Sequence, residues 1–180
     1  MDRLWTPWRL AFVEHGAGGQ QETAGGSEAR AACFLCAKPA DPAGADRENL
    51  VLFRGQRAYV LLNLYPYNSG HLMVAPYAHV GDLPVLPEAD AAELFALVRR
   101  AVAVLRDEYH PEGFNVGMNL GLAAGAGVPD HLHLHVVPRW SGDTNFMPVL
   151  GDTKVLPESL AQTYDRLRPR FAAAADAATR

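Results

Sequence analysis

His131-Leu132-His133-Leu134-His135-Val136-Val137 is the stretch that decides the fold of this chain. In an extended strand successive side chains point to opposite faces. His131, His133 and His135 then share one face, and Leu132, Leu134 and Val136 share the other. On a helix the three histidines would fan apart by about 100° per residue, and no single site could use them. The aliphatic face is free to enter a core. Imidazoles are costly to bury without partners, and the whole chain has only 7 histidines. Three on one face therefore point to a metal site, or to a histidine working on phosphorus or carbon.

Working outward, Leu50 to Phe53, Ala58 to Asn63 and His71 to Ala75 read as short strands. The turn formers Tyr65-Pro66-Tyr67-Asn68-Ser69-Gly70 separate the last two. Pro87 suits the first turn of a helix running to about Tyr109. Leu94, Leu97, Val98, Ala101, Val104 and Leu105 form its apolar stripe, and His110-Pro111-Glu112-Gly113 stops it. Phe114 to Leu120 reads as a strand, Gly121 to Asp130 as a loop of small residues, and Leu132 to Pro138 as the histidine-bearing strand. Leu160, Tyr164, Leu167 and Phe171 predict a closing amphipathic helix that Pro169 should kink or interrupt. The order predicts an α+β fold, with a helix packed on a mostly antiparallel sheet.

A chain of 180 residues, 49% hydrophobic and 20% charged, suits one globular domain with a sizeable core. No repeat or second domain is visible. Residues 33–170 are expected to form the core and 15–32, rich in glycine, a mobile loop. The net charge of −4 gives no basic footprint for nucleic acid, yet backbone N–H groups still permit a small nucleotide. No apolar run approaches the ~18 residues of a membrane span. Met1-Asp2-Arg3-Leu4-Trp5 lacks a charged-then-apolar signal pattern, so a cytoplasmic location is expected.

The 2 cysteines stand together as Cys33-Phe34-Leu35-Cys36. In a reducing compartment this spacing argues for metal ligation or a redox pair over a structural disulfide. A redox pair would open a helix after a strand, whereas this one follows a Gly- and Ala-rich stretch, which favours zinc. Two ordinary thiols are the plain alternative. Two cysteines do not complete a tetrahedral site, so two further N or S ligands are required from elsewhere.

The string His131 to Val137, followed by Pro138 and Arg139, resembles the signature of the histidine triad (HIT) family of nucleotide hydrolases and transferases. Leu4-Trp5-Thr6-Pro7-Trp8-Arg9, Leu62 to Asn68, Gly70 to Val74, Phe114 to Gly121 and Trp140 to Phe146 resemble one bacterial branch, similar to diadenosine tetraphosphate phosphorylases. The resemblance covers roughly residues 1–14 and 33–170. It implies a HIT fold, a five-stranded antiparallel sheet with helices, and a homodimer. Trp5 and Trp8 read first as core anchors of the N-terminal segment.

The resemblance also distributes roles. Some relatives complete a Cys-X-X-Cys zinc site with two histidines, and the similar positions here are His79 and His131. A closed site with four protein ligands leaves no position for substrate, so the zinc would be structural. A surface histidine is the alternative for His79. The middle histidine of the family attacks the α-phosphate and carries the nucleotidyl group as a phosphoramidate. That places the nucleophile at His133, with a backbone carbonyl as its orienting group. His135 lies ~6.5–7 Å further along the strand, within reach of phosphate oxygens. The related galactose-1-phosphate uridylyltransferases carry glutamine at that position, so His135 favours the hydrolase and phosphorylase side.

His71 resembles a histidine near the phosphate site, Asn63 a ribose contact, and Asn119 a position near the triad strand. Each is also an ordinary polar residue at a turn or strand end. The Gly121–Asp130 loop suits a polyphosphate cradle, with a tight turn as the alternative. Trp140 and the following Asp143 to Phe146 are placed to stack on a base or bond phosphate. Many hydrolases of the family carry glutamine where this chain has Gly127, which leaves room for inorganic phosphate as acceptor. The expected activity is cleavage of a dinucleoside polyphosphate at the α-phosphate, with phosphorolysis of diadenosine tetraphosphate to ATP and ADP first. Hydrolysis of that dinucleotide or of a nucleoside phosphoramidate, a nucleotide-binding regulatory protein, and a three-histidine metalloenzyme are the rivals.

Overall fold

The structure, a computed structural model, describes residues 30–151, 153 and 155–178. Trp5, Trp8 and nearly all of the expected loop at 15–32 lie outside the described residues. Five strands, β1 (Val51–Arg54), β2 (Ala58–Leu62), β3 (Leu72–Pro76), β4 (Gly113–Met118) and β5 (Leu134–Arg139), form one sheet in the order β1-β2-β3-β5-β4. Every pairing is antiparallel. Among the helices of the described residues are α1 (Phe34–Ala40), α2 (Asp46–Asn49), α3 (Glu88–Tyr109), α4 (Met147–Gly151) and α5 (Leu160–Ala178), with short 3₁₀ turns between.

The two faces of the sheet separate by the period of two that strands impose. Leu72 and Val74 of β3, Leu134 and Val136 of β5, and Val60 and Leu62 of β2 join the main core. Against them pack the α3 stripe Leu94, Leu97, Val98, Ala101, Val104 and Leu105, together with Tyr164, Leu167 and Phe171 of α5. Val51, Tyr59, Leu61, Met73 and Ala75 point the other way and form a second, smaller cluster with Cys33 and Leu35. The histidines belong to this second side, since His135 is paired in register with Met73.

Three details differ from the expectations. Pro87 sits at the N-cap of α3, with an extended backbone, and Glu88 begins the helix. Pro169 lies inside α5, which runs from Leu160 to Ala178 without interruption. A mid-helix proline costs about 3 kcal/mol, and here Leu167 and Phe171, both fully buried, anchor the helix on either side of it. The regular part of the triad strand starts at Leu134 instead of Leu132. Upstream of Leu134 the chain leaves the ladder with β3, and the Leu132 N–H donates instead to the Val80 carbonyl at 2.7 Å. Leu132 still enters the main core.

Candidate functional site

The Cys-bearing helix is fixed to the sheet before any metal is considered. Leu35 is fully buried, and the Tyr59 hydroxyl donates to its carbonyl at 2.6 Å. Arg54 donates to the Pro39 carbonyl at 2.6 Å, to the Asp41 carbonyl at 2.9 Å and to Asp46. Cys33 occupies the N-cap position of α1. This docking carries both thiols to the segment after β3, where His79 lies, and to His131.

The ligand atoms of Cys33, Cys36, His79 and His131 all lie within 4.8 Å of one another. His131 Nδ1 is 3.4 Å from each Sγ and 3.3 Å from His79 Nδ1, and His79 Nδ1 is 3.4 Å from Cys36 Sγ. A tetrahedral ion with bonds of about 2.0–2.1 Å to nitrogen and 2.3 Å to sulfur has N–N edges of about 3.3 Å and N–S edges of about 3.6 Å. The donor set therefore fits a closed four-ligand metal site. His131 Nε2 donates to the Pro76 carbonyl at 2.9 Å, which leaves Nδ1 as the ligand atom and fixes the ring as outer partners of metal-bound histidines do.

The same residue reaches the second cluster through its backbone. The His131 carbonyl accepts from His133 Nδ1 at 2.9 Å. A carbonyl only accepts, so Nδ1 carries the proton and the lone pair of the neutral ring sits on Nε2. The rings of His133 and His135 are 5.0 Å apart, and those of His71 and His135 are 5.1 Å apart. His71 Nε2 lies 3.0 Å from His135 Nδ1. Burial holds the three imidazoles neutral: it lowers His71 to about 3 and His135 to about 4, aided by their histidine neighbours. It lowers His133 as well, opposed by the bond to the His131 carbonyl.

The other expected site residues are less uniform. Asn63 lies beside the cluster, its Oδ1 accepting the Tyr65 N–H at 2.9 Å and its Nδ2 3.5 Å from the His71 ring nitrogens. Asn119, the residue after β4, donates to the Gly125 carbonyl at 3.3 Å within the small-residue loop that contains the exposed Gly127. Trp140 lines a cavity of about 640 Å³ with Tyr109, Glu158 and Arg166, and no histidine lines it. Sequence reasoning missed Asn68, which is buried and bonded to the Pro138 carbonyl and to Asp143. An asparagine within a turn-forming string carries no signal that distinguishes a buried anchor from an exposed turn residue.

The model of the HIT domain family matches residues 45–142 of this chain. An AP-4-A phosphorylase of Mycobacterium tuberculosis is 41% identical over 172 residues, covering 96% of this chain and 85% of that protein. The chain belongs to the HIT family. A bis(5'-nucleosyl)-tetraphosphatase (asymmetrical) of Schizosaccharomyces pombe is 32% identical to this HIT protein over 93 residues, covering 52% of this chain and 50% of that one. Among solved structures, a Zn-bound histidine triad family protein from Mycobacterium smegmatis superposes with a TM-score of 0.64 at 27% identity, covering 82% of this chain and 99% of that one. The expected family and fold are thus both borne out.

Proposed function

We propose that this HIT protein is an enzyme that cleaves dinucleoside polyphosphates at the α-phosphate, and that diadenosine tetraphosphate is phosphorolysed to ATP and ADP. The observation that carries the reading is the 2.9 Å bond from His133 Nδ1 to the His131 carbonyl. It leaves the lone pair on Nε2, across the ring from the bonded nitrogen, and stabilises the positive charge that develops on the ring during attack. His133 Nε2 forms a bond to the α-phosphorus as the bond to the bridging oxygen breaks and ATP leaves. A phosphate oxygen then attacks the same phosphorus, the N–P bond breaks, the electron pair returns to Nε2, and ADP is released. His135 donates a hydrogen bond to the phosphate oxygens, the departing oxygen of the first step included. His71 stands beside His135 and Asn63 beside His71, and the Gly121–Asp130 loop, held by Asn119, offers backbone N–H groups to the polyphosphate.

Cys33, Cys36, His79 and His131 are assigned to zinc, whose preference for thiolate and imidazole matches the donor set. With four protein ligands the ion would act structurally, by stapling α1 to the triad segment. Reduced thiolates suit a cytoplasmic location, and among the described residues no helix is long and apolar enough to cross a membrane. A homodimer is expected to use the edge strand β4, where Asn115, Val116 and Gly117 are exposed.

Phosphate as acceptor rests on Gly127, which has no side chain to orient a water, and on the relative named as a phosphorylase. Incubation with diadenosine tetraphosphate should give ATP and ADP at a rate that rises and saturates with phosphate. AMP and ATP as main products, unchanged by millimolar phosphate, would make the protein a hydrolase.

A further inference from the structure

We propose that Asn68 and Asp143 are positioning residues that act through Tyr67 and His71 to hold His135 as its Nε2–H tautomer, so that a donor and not a lone pair faces the substrate. The inference rests on the reading of His133 as nucleophile and His135 as the neighbouring donor. A neutral imidazole has one donor and one acceptor nitrogen, and which is which is set by its partners. The Tyr67 backbone N–H lies 3.1 Å from His71 Nδ1. A backbone N–H only donates, so Nδ1 accepts and the His71 proton sits on Nε2. That proton points along the 3.0 Å contact to His135 Nδ1. His135 Nδ1 is thereby an acceptor, and its own proton is left on Nε2.

The direction of this chain is decided at Tyr67, and Tyr67 is held by its neighbour. Leu64, Tyr65 and Tyr67 are exposed, whereas Asn68 is 6% exposed. Asn68 Nδ2 donates to the Pro138 carbonyl at 3.0 Å and to Asp143 Oδ2 at 2.7 Å. Both partners only accept, so the orientation of the amide is unambiguous. The Asn68 carbonyl accepts the His71 N–H at 3.1 Å, closing the turn. Asp143 is fixed in turn by Arg139 Nε at 2.6 Å, Arg139 Nη2 at 2.9 Å and the Trp140 N–H at 3.2 Å. Arg139 holds its carboxyl well below the usual carboxylate range. A continuous set of bonds thus runs from the end of β5, through the 63–71 turn, to the nitrogen that faces the phosphates.

Breaking the anchor frees Tyr67 from His71 and lets His135 place its proton on Nδ1. The remaining lone pair would then oppose the phosphate oxygens. The effect grows with the charge that develops on the departing oxygen, so poor leaving groups suffer most. The test uses the full chain, with Asn68→Ala and Asp143→Asn as variants and the phenyl and 4-nitrophenyl esters of AMP as substrates. Imidazole ¹⁵N NMR of the wild type should show the proton of His135 on Nε2. In Asn68→Ala it should be shared with Nδ1. Turnover of the phenyl ester should fall roughly 10- to 100-fold, the value of one hydrogen bond to a charged acceptor. Turnover of the 4-nitrophenyl ester should fall much less, with little change in KM. Asp143→Asn should move both readouts the same way and serves where Asn68→Ala does not fold. A wild-type His135 proton on Nδ1, an unchanged tautomer in both variants, or equal losses with the two esters would overturn the proposal. A wild type that does not cleave diadenosine tetraphosphate with or without phosphate contradicts the proposed function, and the tautomer, read without turnover, still decides the positioning role.

Discussion

Gly81→Ala tests how the approach to the triad is packed. The backbone φ of Gly81 is not positive, so the cost of a side chain there is steric and not conformational. A Cβ at Gly81 would press on the Pro129 carbonyl oxygen and stand 2.9 Å from Asp130 Cα and 3.2 Å from Asp130 C, all backbone atoms. Carbon atoms settle about 3.5–4.0 Å apart, so the segment entering His131 must retreat by roughly 1 Å. That segment is tied to residue 80 by the 2.7 Å bond from the Leu132 N–H to the Val80 carbonyl. Overpacking of this kind costs about 1–3 kcal/mol of stability. The same displacement carries the His131 carbonyl, and with it His133 Nδ1, off its present line. A misplacement of about 1 Å at a reacting group is worth up to about 100-fold in rate. Urea unfolding and steady-state kinetics on Gly81→Ala should show both losses, in kcat more than in KM. A variant with wild-type stability and kcat would refute the claim that this close approach sets the position of His133.

Two further outcomes follow from the buried histidines and the metal site. Stability should rise by about 1.4 kcal/mol for each tenfold increase in free zinc above its dissociation constant. Denaturation in zinc buffers should show this dependence for the wild type and lose it in Cys33→Ser, whereas stability independent of zinc in the wild type would contradict the metal assignment. His71 and His135 are held neutral when folded, at about 3 and about 4, while their ordinary value is about 6.5. Between those values the unfolded chain binds more protons, so the stability present above pH 6.5 is lost as pH falls toward 4. Urea midpoints should drop across that window and drop less in His71→Gln. An equal drop in both would place the effect on other groups.

The fold was legible where periodicity spoke. The α3 stripe from Leu94 to Leu105 and the alternation around Leu132, Leu134 and Val136 are each buried as their spacing demands. The gathering of Cys33, Cys36, His79 and His131 came from family resemblance, because 98 residues separate Cys33 from His131 and spacing says nothing across such a distance. The carbonyl that orients His133 is expected from the sequence only as a type of group, and it is that of His131 because the chain bends there. α1 is not legible in the sequence because seven residues that include Pro39 carry too weak a helical pattern. It is held by tertiary bonds from Tyr59 and Arg54. Asn68 was passed over for a similar reason, since its role lies in partners 70 and 75 residues away.

The central claim is that His133 Nε2 attacks phosphorus and carries the nucleotidyl group. Its most direct test is to quench turnover of diadenosine tetraphosphate under alkaline conditions, which preserve phosphorus–nitrogen bonds, and to map the modified residue by peptide mass spectrometry. An AMP adduct on His133, absent in His133→Ala, is the predicted result. An adduct on His71 or His135, or full turnover by His133→Ala, would contradict the account.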